Sequence, residues 1–315
     1  MLIILLVLEL AACSKPEKPI KIGISNWAGV EPAELAFRKG FYEKRGVEVE
    51  MVRFSAYTDS IEAFREGRVD ADMQTLDDAI RLFAAGCKMK VVLFTDYSYG
   101  GDGIVAQEGI NSIKDLKGKN IGVEIGTVSH LSLLKALETV GLNEEDVTIT
   151  SIPAWEIKEA FLAGKIQAGA TWEPYLTSTA EEGNGQVIIT SRDYPKAIVT
   201  TLVLSDELIS NRRDDAQKIV AAYIDAVRFM EEEPHKAYAI MAEAENIGTE
   251  EFVRHVQGIR YIDLPGNKSA FGTAQNGELF PIGRDLIAFL YQKQIIKTQP
   301  DINKLLEGSF VNNLK

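Results

Sequence analysis

Residues 120–140, NIGVEIGTVSHLSLLKALETV, read as a strand, a short turn and a helix. Residues 120–125 alternate, which puts Ile121, Val123 and Ile125 on one side, and Gly126 breaks the run. Leu131, Leu134 and Leu137 then return at helical spacing, with Thr127 or Ser129 offering an N-cap hydroxyl. A helix that begins there leaves its first N–H groups without intrahelical partners. Together with the positive end of the helix dipole they favour an anion by about 0.3–1 kcal/mol, and by up to about 2 where partly buried. Any α/β protein also uses such turns as plain joints, so the neighbouring segments decide the meaning of this one.

The same pattern recurs on both sides. Towards the N-terminus, residues 20–25, 47–54, 71–75 and 90–97 read as strands, with helices over 32–39, 57–66 and 76–85. Towards the C-terminus, 147–152, 168–171, 186–189 and 198–204 read as strands, with helices over 155–163 and 173–181. This alternation predicts parallel sheet with helices on its faces. Phe64-Arg-Glu-Gly67-Arg-Val69-Asp-Ala71 is echoed by Phe161-Leu-Ala-Gly164-Lys-Ile166-Gln-Ala168, a helix ending at Gly and passing a basic residue into a short strand. The echo predicts two similar α/β lobes. Beyond Ser205 the pattern turns helical, over 214–232, 235–243, 250–255 and 284–294. The expected division is lobe one at 20–103 plus 204–315 and lobe two at 104–203, joined by two crossover strands.

A chain of 315 residues suits two such units. Its net charge of −12 argues against a nucleic-acid partner, since a phosphate backbone needs a basic surface. Cys13 and Cys87 are the two cysteines, and no CxxC, HExxH or paired Cys/His cluster is present, so no metal centre is expected. Residues 1–12, MLIILLVLELAA, are too short to span a bilayer and fit a secretory apolar segment, although no Lys or Arg precedes it and Glu9 interrupts it. Leu10-Ala11-Ala12-Cys13 resembles a bacterial lipobox, which makes Cys13 the expected lipidation site and residues 14–19 a proline-stiffened tether. Residues 1–19 are thus read as signal peptide and tether.

Two α/β lobes joined by two passages leave a cleft at the carboxyl ends of the strands. The loops expected there are 25–29, 54–57, 75–78, 97–102, 124–130, 153–156 and 171–175. All three tryptophans, Trp27, Trp155 and Trp172, fall in them. Polar-tipped aromatics at a cleft grip small ligands by stacking and cation–π contact. Asp77, Asp78, Asp102, Glu124, Glu156 and Glu173 fall there too, with no Lys or Arg in the same loops. Acidic groups beside an uncharged anion cradle at 127–130 favour a small zwitterion or polar amine. Tyr57 and Thr75 share these loops.

Trp27-Ala-Gly-Val-Glu-Pro32, Phe41-Tyr-Glu-Lys-Arg-Gly46-Val-Glu-Val49, Leu116-Lys-Gly118, Gly126-Thr-Val-Ser129-His130 and Thr171-Trp-Glu-Pro-Tyr175 occur in this order. The set resembles the periplasmic substrate-binding proteins of nitrate/taurine/alkanesulfonate-type ABC transporters, which include binders of thiamine-pyrimidine precursors. The resemblance covers about residues 20–310. It implies a type II binding-protein fold that closes on one small-molecule ligand without a cofactor, as a monomer delivering to a membrane permease from the periplasm or cell surface. It also implies that Thr127 and Ser129 hold a sulfonate with hydroxyls and helix-end amides. Val128 stands where sulfonate binders often carry a further serine. Fold-sharing thiamine-pyrimidine synthases use an iron-binding cysteine cluster that this sequence lacks, and His130 has no nucleophile beside it, so no enzyme activity is expected. The residues expected to meet the ligand are Trp27, Tyr57, Thr75, Asp77, Asp102, Thr127, Ser129, His130, Trp155 and Glu173.

Overall fold

The computed structural model describes residues 18–273 and 275–315. Cys13 and the signal segment lie outside the described residues, as does most of the tether. Strands β1 (Ile20–Ile24), β2 (Val49–Arg53), β3 (Ala71–Thr75) and β4 (Met89–Ser98) alternate with helices α1 (Glu31–Arg38), α2 (Phe41–Lys44), α3 (Tyr57–Arg65) and α4 (Leu76–Ala84). Then follow β5 (Asp102–Ala106), β6 (Asn120–Val123), α5 (Val128–Glu138), β7 (Thr148–Ser151), α6 (Ile157–Leu162), β8 (Ala168–Trp172), α7 (Tyr175–Glu182) and β9 (Gln186–Thr190). The chain returns through β10 (Val199–Ser205) and α8 (Asp206–Asn211). It continues with α9 (Arg213–Glu232), α10 (Pro234–Ala244), α11 (Thr249–Val256), β11 (Ile259–Tyr261), α12 (Leu264–Phe271), α13 (Leu279–Gln292), α14 (Ile302–Leu305) and α15 (Ser309–Asn312).

Two mixed sheets result. The first has the order β11-β4-β10-β3-β1-β2 and the second β7-β6-β8-β5-β9. Inside each, the first βαβαβ stretch pairs in parallel, β2-β1-β3 and β7-β6-β8, and the next strand is antiparallel. That antiparallel strand is β10 in the first sheet and β5 in the second. Each is the first strand the chain lays down after crossing from the other lobe.

The echo seen in the sequence marks the same joint in both lobes. Gly67 and Gly164 sit just past the ends of α3 and α6 with φ of +71° and +66°. Arg68 N donates to Ala63 O and Lys165 N to Ala160 O, at 2.8 and 3.0 Å, the 6→1 bond of a Schellman end. A residue with a Cβ is strained in that left-handed conformation, so glycine ends both helices. Phe64 and Phe161, and then Val69 and Ile166, are buried at matching places.

The expected boundaries need correcting at the seam. Asp102 and Gly103 already pair with Trp172 and Thr171 in the second sheet, and Val199–Ser205 lies wholly in the first, between β3 and β4. Division at 103 and 203 therefore cuts through strands. The two passages are the short segments 99–101 and 191–198, stitched together by Ser98 Oγ and Ser191 Oγ at 2.7 Å and by Gly100 N to Ser191 Oγ at 2.6 Å. The C-terminal part is not purely helical, because β11 adds an edge strand beside β4. The alternation expected through Ile125 stops at Val123, and Ile125 is exposed.

One contiguous apolar cluster fills lobe one, from Ile22 and Met73 through Leu93 to Tyr223 and Phe280, and reaches across the seam to Leu131, Ala154 and Trp172. Lobe two has two smaller clusters, one on each face of its sheet, around Ile121 and Leu133 and around Ile157 and Phe161.

Candidate functional site

Where the strand tips of the two sheets meet lies a cavity of about 400 Å³ counting its mouth. Lobe one contributes Ser25 after β1, Trp27 and Val30 from the single turn that follows, and Tyr57 at the start of α3. It adds Met73, Gln74 and Thr75 from the end of β3, with Ile198 and Thr200 at the start of β10. Lobe two contributes Asp102 at the start of β5, Val128 at the start of α5 and Trp172 at the end of β8. Parallel strands end here and antiparallel ones begin here, which is where open α/β sheets place their ligands.

Most polar groups on these walls are already held by the protein. Trp27 Nε1 donates to Asp96 Oδ1 at 3.1 Å, and Asp96 also accepts from Thr95 and Thr200 hydroxyls at 3.0 and 3.1 Å. Burial pushes the Asp96 carboxyl up to about 6, with these three donors opposing the rise. Tyr57 OH donates to Asp78 Oδ2 at 2.6 Å, as does Thr75 Oγ1 at 2.8 Å. Arg81 reaches from the next turn of α4 to pair with Asp78. Trp172 Nε1 donates across the seam to Asn26 O at 3.3 Å, and its ring meets Tyr57 edge-on at 6.1 Å between centroids. Gly101 makes room for Trp27, since a Cβ there would lie 2.6 Å from the indole.

Two groups stand apart. Asp102 is buried, and its carboxyl is pushed up to about 7. Desolvation is the main cause, the Ser98 hydroxyl opposes it, and Asp96, Asp77 and Glu173 add to it. Gln74 is wholly buried, yet neither Oε1 nor Nε2 has a partner.

Of the residues expected from sequence, Trp27, Tyr57, Thr75 and Asp102 line the cavity. Asp77 is buried beside it at the start of α4, where burial raises its pKa against the pull of Arg81. Thr127 occupies the N-cap position of α5, but its hydroxyl turns back to Glu124 O at 2.8 Å and caps nothing. Ser129 is buried with an unpartnered hydroxyl and does not line the cavity. His130 does not line the cavity: Gly126 N donates to its Nδ1 at 3.4 Å, Glu144 lies 3.5 Å from its otherwise unpartnered Nε2, and burial lowers its pKa. Glu173 accepts from Thr177 N at 3.1 Å and Thr177 Oγ1 at 2.5 Å. It borders a second cavity of about 390 Å³ between α7 and α11 instead. Trp155 is 39% exposed and does not line the cavity, and the third aromatic wall is Trp172.

The acidic crowd expected at the cleft thus reduces to Asp102. Asp78 is neutralised by Arg81, and Glu124 accepts from Thr58 Oγ1 at 3.0 Å and Ala154 N at 3.4 Å, bridging the lobes. Sequence reading missed Gln74, Asp96 and Thr200. A glutamine in a strand otherwise fit for burial between α3 and α4 was the available signal for the first.

A family model described as the NMT1-like family matches residues 14–244. The chain belongs to the NMT1-like family. A protein of Brucella abortus (strain 2308) named as a binding protein is 27% identical to it over 228 residues, 71% of this chain and 70% of that one. A protein of Escherichia coli (strain K12) named for binding aliphatic sulfonates is 30% identical over 182 residues, 56% of each chain. The alkanesulfonate-binding protein SsuA from Xanthomonas axonopodis pv. citri, solved bound to MOPS, has a TM-score of 0.78 at 17% identity, over 94% of this chain and 100% of that one. That likeness shows a shared two-lobed fold. The relatives reported above are named as binding proteins.

Proposed function

We propose that the protein receives a small zwitterion outside the cytoplasm, an aminosulfonate of the taurine type first, and hands it to a membrane permease. The observation that carries this reading is the charge pattern of the cavity. Asp102 is the one carboxylate among its lining residues, and no Lys or Arg lines it. The first turn of α5 also meets the cavity, at Val128, and no side chain caps that helix. An ammonium at Asp102 and a sulfonate at the uncapped N–H groups of α5 satisfy both ends. The Ser129 hydroxyl, free of partners, adds a donor if it turns towards the anion, while Thr127 supports the turn from behind. Names of relatives that bind sulfonates agree with the anionic end. Micromolar affinity needs only about −8 kcal/mol, within reach of a closed cleft with a few polar contacts. Anchoring through Cys13, with residues 14–19 as tether, and a monomeric state belong to the same proposal.

Calorimetric titration with taurine, ethanesulfonate, nitrate, an aminopyrimidine and a neutral sugar tests it. Taurine is expected to bind most tightly, and binding of the sugar alone would overturn the reading. Trp172→Ala should weaken taurine by tenfold or more through the lost wall, while Trp155→Ala should leave Kd within about twofold. The aromatic walls Trp27, Tyr57 and Trp172 favour a second reading, a pyrimidine-precursor amine held at Asp102. Tighter binding of the aminopyrimidine than of taurine would select it.

A further inference from the structure

We propose that Gln74 is the residue that sets ligand specificity in this cleft, its carboxamide bridging both poles of a zwitterion. Nε2 donates to the sulfonate and Oε1 accepts from the ammonium. The assignment rests on the aminosulfonate reading above and adds a residue that the sequence motifs do not mark.

The argument is one of hydrogen-bond accounting. Gln74 sits near the end of β3, in the interior of the first sheet between β1 and β10. Its carbonyl is used, since Thr201 Oγ1 donates to it at 3.0 Å. Its side chain is wholly buried, lines the cavity, and has neither amide atom paired. Buried amides left unpaired are costly, and native proteins rarely keep them without a function. Of the other walls only Ser25 keeps an unspent hydroxyl, a single oxygen that meets one pole of a ligand at a time. The indole N–H groups of Trp27 and Trp172 are spent on Asp96 and Asn26, and the hydroxyls of Tyr57, Thr75 and Thr200 are spent on Asp78 and Asp96. Asp102, once ionised to hold an ammonium, offers acceptors and no donor. Gln74 alone among these side chains brings an unspent donor and an unspent acceptor on one rigid group. A ligand that carries an anion and an amine two carbons apart meets both, and a ligand with one pole leaves half of the amide unpaired.

The experiment compares wild type with Gln74→Leu and Gln74→Glu by calorimetric titration of taurine, ethanesulfonate and propylamine, with thermal melts of each variant. Wild type should prefer taurine to either one-pole probe. Gln74→Leu should melt no lower than wild type, because it removes an unpaired buried amide. It should weaken taurine by about tenfold or more and shrink the preference over ethanesulfonate. Gln74→Glu, an acceptor without a donor, should lose both sulfonates and keep propylamine. If wild type binds taurine and Gln74→Leu binds it equally well, or weakens all three probes by the same factor, the assignment is wrong while the aminosulfonate reading stands. If wild type binds none of the three, that reading fails and takes the assignment with it.

Discussion

The two lobes share one wiring and differ in what they invest in it. In both, a parallel trio is followed by an antiparallel strand borrowed from beyond the crossing, β2-β1-β3-β10 and β7-β6-β8-β5. Lobe one backs its sheet with a single large core and the C-terminal helices. Lobe two holds its sheet between two small clusters. Lobe one also supplies nine of the cavity's twelve lining residues, and lobe two only Asp102, Val128 and Trp172. On the proposed reading the difference is a division of labour: a heavy platform that reads the ligand, and a light cover that meets it with one charge, one helix end and one indole.

The largest test of that contrast removes the same aromatic from each lobe. Phe64 and Phe161 hold equivalent places and are both buried, but Phe161 packs within a cluster of few residues beside Ile157, Ile166 and Leu176. Truncation of a buried Phe to Ala costs about 3–5 kcal/mol. Phe161→Ala should split the calorimetric unfolding into two transitions, the lower belonging to lobe two, because a small core cannot absorb that loss. Phe64→Ala should lower the main transition without splitting it. One transition, shifted equally by both, would break the comparison.

A smaller test asks whether the shared wiring has equal energetic weight. Gly67 and Gly164 have positive φ, and an added Cβ at either meets nothing within 4 Å, so substitution by Ala charges the backbone alone. Each change should cost about 1–2 kcal/mol in denaturant melts, with the two values matching. Unequal costs would mean that the matching sequence hides different helix ends.

How much of this was legible beforehand follows from the kind of signal each feature leaves. Periodicity and helix-ending glycines act within a few residues, so the two α/β lobes and the Phe64–Ala71 echo could be read directly. Strand membership at the seam is a matter of long-range pairing, and Val199–Ser205 chooses β3 and β4 as neighbours without any local mark. The three-residue β11 is too short to carry a pattern. At the site, loop position found Trp27, Tyr57, Thr75 and Asp102, but it could not say which way a side chain turns. Thr127 and His130 sit in the right loop, but Thr127 spends its hydroxyl on Glu124 O and His130 its Nδ1 on Gly126 N. Arg81 lies outside every cleft loop, yet it cancels the charge of Asp78 from one turn away. Gln74 was hidden because a buried glutamine looks like any other strand residue until its partners are counted.

The sharpest test concerns two aspartates that face the seam from opposite lobes. Asp96, on the β4 side, accepts from Trp27, Thr95 and Thr200 and titrates near 6, whereas Asp102, on the β5 side, has the Ser98 hydroxyl against its desolvation and titrates near 7. Both lie above the ordinary Asp value of about 3.9. The folded state therefore keeps protons on them that the unfolded chain has released, so stability from these groups falls as pH rises from about 4 through 6 for Asp96 and through 7 for Asp102. Asp102→Asn should accordingly leave Tm little changed near pH 4 and raise it above pH 7. Carboxyl NMR titration separates the two sites. A bound ammonium favours the ionised form of the group that holds it, so taurine should pull the titration of Asp102 down and release protons near pH 7. Asp96, whose donors are all supplied by lobe one and its own strand, should hold its value. A ligand-induced fall at Asp96 with none at Asp102 would place the amine on the platform rather than on the cover, and reverse the roles assigned to the two lobes.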